Sequence, residues 1–244
     1  MSEFVRPRYQ NAPIAEALID IRVMQPDAVT LDQLTSTADA LGNAFPVRHP
    51  INYVEFGFDF AAGAAKNNQS QFGWRLEAEN RVLQLQRIGF TYSHLPPYTD
   101  WDTFRNEARE CWNKFRDHVG QSAASRIAVR IINKIPVPQG EIALEEYLST
   151  YPVVPPQIPA TATAAYMRLQ FAMPKVLPTA TAILNVARGM ADQSGPHLVL
   201  DIDLFATGVF EGDNEIWTSL EKFGIEKDVI FESCITDKVR KAIQ

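Results

Sequence analysis

Two strips of charge hold the residues best suited to chemistry. Glu16, Asp20 and Arg22 alternate with apolar residues in one segment, and Arg126, Arg130 and Lys134 do so in another. Alternate residues of a strand point to one face, so if the two segments pair, carboxylates meet guanidiniums. Cross-strand charge pairs contribute only about 0.2–1 kcal/mol each, and the plain expectation is an ion-pair network. The sharper one is an anion-binding floor, with Arg126 and Arg130 forking onto a phosphate or carboxylate. Glu16, Asp20, Arg22 and Asn133 complete that candidate ligand set. A second constellation is His197, Asp201 and Asp203, which share one face of a strand. A histidine with two carboxylates suits Mg2+ or Mn2+, but no matching carboxylate motif completes the site, and aspartates on the wet face of a strand are ordinary.

Other chemistry finds no motif. There is no G-x-S-x-G elbow, no G-x-G-x-x-G and no phosphate-binding P-loop. Cys111 and Cys234 stand singly in helical patterns among apolar neighbours, as inert buried thiols do. His49 lies in a proline loop, His94 precedes Pro96, and His118 ends a helix, where the dipole alone accounts for it. No cofactor is implied. A formal charge of -6 disfavours a nucleic-acid or anionic-membrane surface. No apolar stretch approaches the ~20 residues that span a bilayer, and MSEFVRPRYQ lacks a signal-peptide core. The expected setting is cytoplasmic.

The elements that must position these residues follow from period and punctuation. Ile14 to Val23 alternates as a half-buried strand, broken at Pro26-Asp27. Thr30 caps a helix carrying Leu31, Leu34, Ala38, Leu41 and Phe45, which Pro46 and Pro50 end. Three strands are expected next: Val54 to Phe60, Phe72 to Leu76 after a polar turn at Lys66–Ser70, and Val82 to Tyr92. The apolar phase of the third jumps near Arg87, the signature of a β-bulge. Asp100 then caps a helix with Trp101, Phe104, Ala108, Cys111, Trp112 and Phe115 in one stripe, closed by Gly120.

The plan restarts at Arg126 to Ile135, with breaks at Pro136 and Pro138, a short helix around Leu144 to Leu148, and a proline-rich stretch from Pro152 to Pro159. Strands around Ala165 to Phe171, Thr181 to Arg188 and Leu198 to Leu204 follow, then a helical tail from Asp213. The predicted class is α+β: two similar β-α-β-β-β-α halves, 1–122 and 123–244, with antiparallel sheets covered by long helices. The groove between the halves is the expected ligand position. Aromatics such as Phe56, Phe58, Phe72 and Trp74 alternate as core residues beside Glu55, Asp59 and Glu77, which disfavours a base-stacking platform.

Three stretches, NAPIAEALIDIR, SRIAVRIINKI and IFESCIT, resemble the patterns of a sporadically distributed bacterial family of uncharacterised proteins of about this length. The matching positions are Pro13, Glu16, Arg22, Arg126, Arg130, Asn133, Phe231, Ser233 and Thr236. The chain departs from the pattern in carrying Cys234 before Ile235 and lacking a histidine upstream of Phe231. The resemblance implies no activity, only a mobile-element, phage-related or defence setting. The leading expectation is a non-enzymatic binding protein that contacts a protein partner through the inter-half groove. The alternatives are a small anionic-ligand binder or sensor and a metal-dependent hydrolase or nuclease. A deep polar cavity between the halves favours a ligand, whereas a flat exposed apolar patch favours a protein.

Overall fold

The computed structural model describes residues 6–244 apart from 60–63, 122, 141, 154, 156, 158–163 and 189–194, and the backbone but not the side chains of 55–59 and 64–69. Alternation over Ile14–Val23 makes strand β1. Its Ala17, Ile19, Ile21 and Val23 are no more than 2% exposed, while Glu16, Asp20 and Arg22 take the other face. Ala124–Pro136 forms β6 in the same way, antiparallel to β1, with Ile19 opposite Val129 and Ile21 opposite Ile127. Pairing apolar with apolar on the core face fixes that register, because a one-residue slip would expose those side chains.

The β1–β6 pair lies inside one nine-stranded sheet. The other strands are β2 (Val47–Asp59), β3 (Ala64–Ala78), β4 (Arg81–Gln86), β5 (Gly89–His94), β7 (Tyr166–Ala172), β8 (Ala180–Arg188) and β9 (His197–Phe210). Their order is β2-β3-β4-β5-β1-β6-β9-β8-β7, antiparallel throughout. Helices α1 (Leu31–Ala40), α2 (Trp101–Val119), α3 (Gly212–Cys234) and α4 (Asp237–Ala242) bury their apolar stripes on one face of it. The fold is α+β, as the patterning predicts.

Local chemistry explains the helix ends. Thr30 accepts from the Gln33 backbone N–H while the Gln33 side chain accepts from the Thr30 N–H, a reciprocal cap for α1. Asp100 caps α2 by accepting from Thr103 N at 2.9 Å, and Gly120 ends it at φ 73°. Phe104, Trp112 and Phe115 of α2 are fully buried, with Trp112 edge-on to Phe90, each worth about 1.5–3 kcal/mol of burial. On α3, a Cβ at Gly224 would sit 2.3 Å from Trp101 Cε2, so only glycine admits that ring.

Four local expectations are corrected. The phase jump at Arg87 is a hairpin turn between β4 and β5, with Gln86 opposite Gly89, so four strands rather than three separate α1 from α2. Lys66 to Ser70 lie within β3 rather than in a turn. Pro50 sits inside β2, an edge strand, where a missing N–H costs little. The short helix expected around Leu144 to Leu148 is a single 3-10 turn, Leu144–Glu146. The expected strand end at Phe60 and the prolines at 156 and 159 lie outside the described residues.

Candidate functional site

The two faces of the β1–β6 seam carry different chemistry. On the face without helices, strand register sets Arg22 directly opposite Arg126. That like-charge pair is held by Asp20. Its carboxylate accepts from Arg22 Nε at 2.9 Å, from Arg126 at 2.8 Å and from the Thr91 hydroxyl at 2.7 Å. Asp20 is only 4% exposed, and three donors compensate its burial. The Arg126 guanidinium also lies over the Phe205 ring, 4.8 Å from its centroid.

Four residues along β6, Arg130 pairs in register with Asp203 but directs its fork diagonally to Asp201. Both bonds measure 2.8 Å, the bidentate arrangement that makes such pairs strong. Asn185 adds a third bond to Asp201 at 2.9 Å. Asp203 lies close enough to feel Arg126, Arg130, Asp201 and Asp20, yet makes no hydrogen bond among the described residues, and burial pushes its carboxyl pKa up. Half-buried Glu16 is on this face and contributes to the field at Arg130.

Of the predicted ligand set, then, Asp20, Arg22, Arg126 and Arg130 share this face, with all three arginines already engaged by aspartates. Asn133 does not join them. It is buried on the helix side and donates to Leu200 O at 3.0 Å. His197 begins β9, four residues from Asp201 or about 13 Å along the strand, with Nδ1 3.1 Å from Gly195 O. No cluster of three His, Cys, Asp or Glu suited to a metal occurs among the described residues. Cys111 and Cys234 are buried and free, and burial pushes the Cys111 thiol up to about 12.

On the helix side of the same seam is a cavity of about 300 Å³ that the sequence did not single out. Its floor is Ile14, Ile131, Asn133 and Ile202, from β1, β6 and β9. Tyr98, just before α2, and Trp101, its first residue, supply one wall, and the C-terminal half of α3 supplies the other through Lys227, Asp228 and Phe231. The segment from Arg6 to Pro13 crosses the rim. It is pinned by Arg6 Nε to Asp228 at 2.7 Å, by the Tyr9 hydroxyl to Glu232 at 2.7 Å, and by Asn11 N to Ile243 O at 3.0 Å. Burial, helped by Glu232, pushes the Tyr9 phenol up to about 12.

Lys227 is the unusual member. Its side chain is 6% exposed, its ammonium donates to Asp228, and it stands 5.4 Å from the Trp101 ring centroid. Burial lowers its pKa, opposed by Asp228. The Tyr98 hydroxyl is buried with no hydrogen-bond partner among the described residues, and burial raises its pKa. One signal was available in the sequence: Lys227 follows Leu220 and Phe223 at helical spacing and precedes Phe231 by four, placing a lysine in the apolar stripe of α3.

The positions shared with the family resemblance distribute over both faces. Arg22, Arg126 and Arg130 belong to the ionic lattice, and Pro13, Asn133 and Phe231 line the cavity. Ser233 and Thr236 bond to Val229 O and Glu146 O. Among the described residues no helix is long and apolar enough to cross a membrane. No protein-family model matches the chain, and no curated protein matches it.

Proposed function

We infer that this chain is a non-enzymatic binding protein that holds a small polar ligand in the cavity above the β1–β6 seam. The carrying observation is the cavity itself, about 300 Å³ with a buried lysine in its wall and a buried asparagine in its floor. That volume sits at the lower end of small-molecule sites, roughly 300–1,000 Å³, and is too small for a folded partner. Exposed Arg8, beside Arg6 and Lys227 that share Asp228, suits a ligand with an anionic group, and Trp101, Ile131 and Phe231 suit an apolar one. An anion site on the opposite face is disfavoured, since Arg126 and Arg130 already bond Asp20 and Asp201.

The reading includes an internal duplication. Its support is the strand order: outward from the seam, β1 is followed by β5, β4 and β3, and β6 by β9, β8 and β7. In each half the last strand lies beside the first. β2 has no counterpart, and a 3-10 turn stands in for α1. The phage-related or defence setting is part of the same proposal and rests on the three sequence patterns alone.

Native mass spectrometry of the purified chain after exposure to a polar metabolite extract tests the site. We expect a retained small-molecule mass that Ala12→Trp, which fills the rim, abolishes and Arg130→Met leaves in place. Retention lost only in Arg130→Met would transfer the site to the open face.

A further inference from the structure

Lys227 carries an inference that rests on the cavity reading and deepens it. A lysine amine becomes a nucleophile toward carbonyl carbon when it is desolvated and stands beside another cation. Lys227 meets both conditions, since its side chain is 6% exposed and the Arg6 guanidinium shares its counter-ion, Asp228. Asp228 is bonded to the ammonium and is placed to take a proton from it. Arg8, at the rim, makes no ion pair among the described residues and is exposed. An amine in the wall and an exposed guanidinium at the rim, its charge felt by Asp100, suit a molecule bearing a carbonyl and a carboxylate.

We propose that Lys227 captures the carbonyl carbon of a small 2-oxo acid as a Schiff base inside the seam cavity. The ammonium gives one proton to Asp228, and the free amine forms the N–C bond as the carbonyl π pair moves to oxygen. Asp228 returns its proton to that oxygen, which takes a second from the nitrogen and departs as water while the C=N bond forms. One ammonium and one carbonyl yield one iminium and one water, with no oxidant or reductant. The Tyr98 hydroxyl, buried without a hydrogen-bond partner among the described residues, is a further donor lining the same cavity.

The test uses the intact chain with pyruvate or glyoxylate and cyanoborohydride, which reduces an imine to a stable amine, followed by peptide mapping. Lys227 is expected to label about tenfold faster than exposed Lys222, and Ala12→Trp to bring it down to the Lys222 rate. Lys227→Arg should keep its melting temperature and lose only the fast label. Equal labelling of the two lysines overturns the proposal. If Lys227 stays unlabelled while the metabolite mass that Ala12→Trp abolishes persists, the Schiff base falls and the cavity reading stands. If both signals are absent, both fall.

Discussion

The two faces of the β1–β6 seam place charge by different means. On the open face, Asp20, Arg22, Arg126, Arg130 and Asp201 sit on a lattice with a period of two, so register decides which groups meet. On facing strands their side chains reach one another directly and become cross-links. On the helix side, Arg6, Asp228 and Lys227 come from a terminal segment and a helix that converge above the sheet. Elements that converge from a distance leave a space between them, and Lys227 and Arg6, though paired with Asp228, border that space. Paired charge on a filled strand face reads as scaffold, and paired charge lining a void, as with Lys227 and Arg6 around Asp228, reads as site.

Breaking the open face should cost most. Asp20→Ala leaves Arg22 and Arg126 directly opposed without their shared acceptor. We expect a loss of about 2–3 kcal/mol in urea unfolding. Next is Gly224→Ala, whose methyl must displace Trp101. About 1–3 kcal/mol is expected, together with loss of the metabolite mass, because the ring would shift in the cavity wall. Lys227→Met sharpens the contrast: it removes a desolvated ammonium while Asp228 keeps Arg6 as a partner, so a loss of no more than about 1 kcal/mol is expected. A loss comparable to that of Asp20→Ala would show that Lys227 is scaffold. Arg130→Met should cost about 1 kcal/mol with binding intact, because its side chain is 40% exposed and Asp201 keeps Asn185.

The smallest effect is a pH dependence at Asp203. Its carboxyl pKa is raised in the folded chain, first by burial, while Arg126 and Arg130 lower it and Asp201 and Asp20 raise it. The folded state therefore holds this proton more tightly than the unfolded one. Its share of stability is present below the unfolded carboxylate pKa, about 3.9, and is lost as pH rises through the folded value. Asp203→Asn should remove that share of the decline and raise the melting temperature slightly at neutral pH. An unchanged pH profile would break the assignment.

Much of the scaffold can be inferred from local chemistry. β1 and β6 announce themselves by alternation, and the caps at Thr30, Asp100 and Gly120 act through residues within one turn. Errors fall where two outcomes share a local pattern. A phase jump at Arg87 signals a bulge or a tight hairpin alike, and only pairing of Gln86 with Gly89 decides. Pro50 breaks a helix or sits in an edge strand, depending on what lies beside it. The ionic lattice was inferable because its members lie on two strands that pair. The cavity was not: Lys227 is odd within α3, but nothing near it announces that Tyr98 and Arg6 will face it.

Hydrogen–deuterium exchange with and without the polar metabolite extract addresses the assignment of binding to the helix side. Protection is predicted in peptides covering 6–14, 98–103 and 224–232, with β7 and β8 unchanged. Protection confined to β7 and β8, or none in the helix-side peptides, would contradict it.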